Sequence, residues 1–72
     1  MKNIDLFLNF LSFMDMVLRI HDEQLRNKLF NNYKAEAIAI LRQEEKNILK
    51  NNDEFEAAHQ LFNELLRKAA MQ

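Results

Sequence analysis

Between Ile4 and Ile20 the polar residues fall at Asp5, Asn9, Ser12, Asp15 and Arg19, one every three or four positions, and the remaining twelve residues are apolar. That period marks one face of a helix. The apolar remainder spans about two-thirds of the circumference, whereas a helix packed on one layer needs a stripe only roughly 100° wide. The pattern therefore predicts a first helix over about residues 4–20 with neighbours on more than one side. Asn3 is placed to cap it, and Asp5 stands favourably in its first turn. Asp15 and Arg19, four apart with the acid first, form a helical ion pair.

Past His21 the pattern restarts. Asp22 is a cap residue for a second helix predicted over about 23–50, with Glu23 adding negative charge to its first turn. Its apolar line is Leu25, Leu29, Tyr33, Ala37, Ile40, Leu41 and Ile48, widened by Phe30, Ile38 and Leu49. Asn31-Asn32 is the expected interruption, because asparagine competes with the helical backbone through its own side chain. Lys50-Asn51-Asn52 ends this helix with a cation and candidates for a left-handed cap. Asp53-Glu54-Phe55-Glu56 then opens a third helix, predicted over about 54–70, as a D-x-x-E capping box. Its apolar line runs through Phe55, Ala58, Phe62, Leu65, Leu66 and Ala69, with Leu61 beside it. So short a break implies that the second and third helices are antiparallel neighbours.

Composition settles the class. Glycine, proline and cysteine are all absent from the 72 residues. Tight hairpin turns lean on glycine or proline, strand-like alternation is nowhere sustained, and strong helix formers dominate. The expected fold is all-α: one small domain over 1–72 made of helix 1 plus an antiparallel helical hairpin. Nine asparagines must supply the loops, since asparagine tolerates the left-handed conformation. Without cysteine, disulfides and thiolate metal sites are excluded. A domain this small buries only about 60% of its unfolded surface, so oligomerisation is the expected support. The reading is a homodimeric helical bundle. The cluster Phe7, Phe10, Phe13, Met14 and Met16 supplies the apolar material, and Phe7, Phe10, Leu11, Phe13, Met14 and Leu18 form the expected dimer or partner interface.

Candidate chemistry is sparse. Ser12 is the single serine, threonine is absent, and no glycine is present to build a phosphate-cradling loop. His21 beside Asp22 points about 100° away from it on a helix, poor geometry for a general base. His59 falls on the wheel between Phe55, Phe62 and Leu66. With Glu56 it makes a Glu-x-x-His unit of the kind that carboxylate-bridged metal bundles use in pairs, although one chain has only one such unit. A histidine buried at an interface explains it better, so no metal or cofactor is expected and the chain is read as non-enzymatic. Arg42, Lys46 and Lys50, with Lys34 nearby, offer a basic stripe for a partner protein or a nucleic-acid backbone. The net charge of −1 and the interleaved Glu36 and Glu45 count against nucleic acid. Asp5 and Asp15 interrupt the first apolar run too early for a membrane span, and a cytoplasmic location is expected. The function predicted is that of a homodimeric regulator, adaptor or inhibitor that binds another protein.

Overall fold

A computed structural model describes residues 3–46 and 53–72, and these residues form three helices with no strand among them. They are α1 (Asn3–Val17), α2 (Glu23–Glu45) and α3 (Asp53–Ala70). The element count and type agree with the periodicity. The boundaries differ in informative ways.

α1 stops three residues before the predicted Ile20. The Leu18 amide still bonds the Met14 carbonyl, but the Arg19 and Ile20 amides turn to Met16 and Val17, one residue nearer. This is the tighter turn that commonly closes a helix. The carbonyls left over find side chains: Arg26 Nη1 donates to the Ile20 oxygen at 2.9 Å, and Gln72 Nε2 donates to the Leu18 oxygen at 3.2 Å. Such partners satisfy the orphan acceptors of a helix end. No described residue adopts a positive φ, so the left-handed asparagine cap is not used here, and Asn51-Asn52 lie outside the described residues.

Asp22 caps α2 as its sequence suggests. Its backbone is extended (φ −69°, ψ 110°), and its Oδ1 accepts from the Leu25 amide at 3.1 Å. A cap of this kind contributes about 1 kcal/mol. α2 then runs unbroken through Asn31 and Asn32, which are exposed between the packed Phe30 and Tyr33. Packing of an apolar face overrides weak local propensity. The predicted stretch from Ile48 to Lys50 lies outside the described residues. α3 carries Asp53, Glu54 and Glu56 in its first turn and Arg67 and Lys68 in its last, the charge order the helix dipole favours.

The packing corrects the expected topology. α1 runs antiparallel to α2: Asn3 Nδ2 donates to Glu44 Oε1 at 3.0 Å at one end, and Phe10 and Phe13 lie on Tyr33 farther along. α1 runs parallel to α3, with Phe7 on Phe55 near their starts and Leu18 bonded by Gln72 near their ends. α2 and α3 thus point in opposite directions, as predicted. Their described backbones, however, nowhere approach within 8 Å, while α1 lies within that distance of both. α1 is the middle element. The cause is in the stripes: α3 has one buried line, Phe55, Ala58, Phe62 and Leu65, and α1 occupies it. Only α1 is apolar around enough of its girth to serve two neighbours.

The second layer demanded by α1 is therefore, in large part, α3 of the same chain. The core gathers Ile4, Phe7, Leu11, Met14 and Val17 from α1 with Phe30, Ala37, Ile40, Phe55, Ala58, Phe62 and Leu65. Phe7 and Met14 are fully buried, each stabilising the fold by about 1.5–3 kcal/mol. No buried polar or charged side chain occurs among the described residues.

Candidate interaction surface

The residues expected at a dimer interface divide sharply. Phe7, Leu11 and Met14 lie in the chain's own core. Phe10 and Leu18 are half-buried against that core. Phe13 alone remains outside, 44% exposed, its ring 5.3 Å from Tyr33 and 6.3 Å from Phe10. The physical reason is that α3 covers an α1 face that the apolar arc alone would assign to a second chain.

A different α1 face is left uncovered. Leu6, Asn9, Phe13 and Met16 are all exposed, and Met16 reaches 58%. Their spacings are three, four and three, the a/d rhythm of a coiled-coil seam. Beside this seam the charged pair Asp15–Arg19 closes at 3.2 Å, as its spacing predicts. A second apolar exposure lies between α1 and α3, where Leu8 and Leu61 face solvent together.

The candidate basic stripe is only partly assembled. Arg42 and Lys46 are exposed on α2, Lys34 is half-buried, and Lys50 lies outside the described residues. Lys28, also exposed, joins Arg42 and Lys46 on one face through the helical spacing, with Ala35 and Ala39 between them. Sequence reasoning overlooked Lys28, although its separation of two heptads from Arg42 was available as a signal.

In the single chain His59 is exposed, its ring 6.3 Å from Phe62, and Glu56 is also exposed. The wheel places His59 at the far edge of the apolar face, away from Leu61. Among the described residues, no group of three or more metal-ligating side chains converges. His21 and Ser12 are likewise exposed. No described helix is long and apolar enough to cross a membrane.

These features define the class of structure: a three-helix, all-α unit organised around its first helix. Compared with known protein families, curated proteins and solved structures, the chain has no significant match.

Proposed function

We propose that the chain is a non-enzymatic helical interaction module that pairs with a second copy through the outer seam of α1 and engages a partner protein with its remaining surface. The observation that carries this reading is the exposure of Leu6, Phe13 and Met16 at seam spacing on a helix whose opposite side is already packed. Leaving such a stripe wet forgoes the burial of apolar area, worth about 25 cal/mol per Å². The seam is suited to itself. In an antiparallel pairing Leu6 meets Met16 of the second copy, and Asn9 meets Phe13. Asp5 then approaches Arg19 across the pair. Asn9 facing Phe13 lowers the stability of the pair, since its amide finds no conventional hydrogen-bond partner in the ring.

The seam runs from Leu6 to Met16, about 15 Å along the helix. So short a seam is a small interface, and specific interfaces begin around 1,000 Å²; a weak, micromolar dimer is expected. Sedimentation equilibrium across the micromolar range should show monomer and dimer in exchange. Met16→Asp should leave a folded monomer with an unchanged helical spectrum. A wild-type chain that stays monomeric throughout, or a Met16→Asp variant that still dimerises, would remove the seam from this role.

A nucleic-acid reading has less support. Lys28, Arg42 and Lys46 would reach only about three phosphates, fewer than the six to ten typical of strongly salt-dependent binding.

A further inference from the structure

The exposed leucines between α1 and α3 belong to a trough. Leu8, 41% exposed, and Leu61, 51% exposed, stand at its centre, with Ile4, Leu11, Ala58 and Leu65 forming its floor. Two hollows of about 320 and 430 Å³ share Leu8 and Leu61 and so make one channel along the parallel helices. Its rim is charged and one-sided. Asp5 and Glu54 flank the amino-terminal hollow, Asp15 and Glu64 flank the other, and Lys68 is the single cation among the lining residues.

We propose that this trough receives an amphipathic helix from a partner protein, apolar along one stripe and rich in lysine or arginine on both flanks. The proposal rests on the interaction-module reading and names the chemistry of the partner. With Asp15 already paired to Arg19, the three carboxylates of Asp5, Glu54 and Glu64 against the one ammonium group of Lys68 attract cationic flanks and repel acidic ones, and opposite-sign surfaces speed encounter and reject wrong partners. Apolar side chains at i, i+3 or i+4, and i+7 of such a helix would rest on Leu8 and Leu61 in the helix-in-groove manner. Along α1 the trough extends from Ile4 to Asp15, about 16 Å, which matches three turns of bound helix. The chain's own α2 in a second copy is a poorer occupant: its cations Lys28, Arg42 and Lys46 flank Ala35 and Ala39, which offer little apolar area. The trough also lies on a different side of α1 from the Leu6–Met16 seam, so one molecule can use both at once.

The probe is a labelled eighteen-residue helical peptide of leucine and lysine with leucine on one face; its control carries glutamate in place of lysine. Fluorescence anisotropy should show the wild-type chain binding the lysine peptide and ignoring the glutamate one. Leu61→Lys should weaken binding by at least about tenfold, a loss of roughly 1.4 kcal/mol. The Glu54→Lys/Glu64→Lys double variant should reverse the preference between the two peptides. Both changes are at exposed positions, so their melting curves serve as folding controls. Binding that survives both variants unchanged, or no binding of either peptide, overturns the proposal. The Met16→Asp chain separates it from self-association: retained peptide binding supports the trough, and peptide binding lost along with dimerisation places the peptide on the seam and overturns it. A monomeric wild-type chain that binds in the Leu61-dependent way would leave the trough standing while removing the seam.

Discussion

Phe7→Ala is expected to unfold a large part of the population at physiological temperature. The Phe7 ring is fully buried and stacks obliquely on Phe55 at 5.6 Å and on Phe62 at 5.9 Å. It is thus the main bridge from α1 to α3. Truncating a buried phenylalanine to alanine costs about 3–5 kcal/mol, the sum of lost transfer energy and the cavity left behind. A chain of 72 residues has a total stability of only roughly 4–11 kcal/mol. The loss is therefore comparable with the whole. A thermal melt followed by circular dichroism at fixed concentration should shift downward by about 15–30 °C. Phe13→Ala is the matched control, because Phe13 is half in water and its removal should cost only about 1 kcal/mol. Equal effects at the two positions would contradict the assignment of Phe7 to the α1–α3 interface.

Met14→Asp should be more severe. Met14 has no exposed surface, and no buried polar side chain is described that could receive a carboxylate. An unpaired charge in such a site costs several kcal/mol whether it stays ionised or takes up a proton. The expected result is a chain with little helical signal in dilute buffer. Met16→Asp, two positions along and more than half exposed, should keep the native spectrum. Two residues on a helix differ by about 200°, so the pair samples opposite sides of α1. If Met14→Asp remained folded and merely lost its self-association, Met14 would belong to an interface between molecules, as the sequence alone suggests.

That contrast shows where the sequence is legible. The absence of glycine and proline, the 3.6-residue period, the Asp22 cap and the line Phe55–Phe62–Leu65 are all local signals, and each reappears in the structure. A helical wheel also measures correctly how much of α1 is apolar. It reports an arc without naming what covers it. The covering element for Phe7 and Leu11 is α3, almost fifty residues away along the chain, and no local pattern announces that pairing. His59 stands at the edge of the α3 apolar arc, about 20° beyond Leu66, and is exposed in the single chain. The early stop of α1 depends on Arg26 and Gln72 reaching back to its carbonyls, again a non-local cause. On the surface, Phe13 was visible as interface material. Leu6 does not stand out, because its heptad relation to Phe13 is submerged in the general apolar richness of the segment.

The middle position of α1 also sets the order in which the molecule comes apart. α2 is joined to α1 through residues 18–22 and pairs with it over a short stretch of chain. Among the described residues the backbone of α3 comes within 8 Å of α1 and not of α2, and its ring contacts, Phe7–Phe55 and Phe7–Phe62, join residues about fifty positions apart. Detachment of α3 as a unit should precede global unfolding, so native-state hydrogen exchange should find its amides opening at lower free energy than those of α1. The species released first is then a two-helix remnant with Phe7 bare, and its sticky surface is what a cellular quality-control machinery would meet.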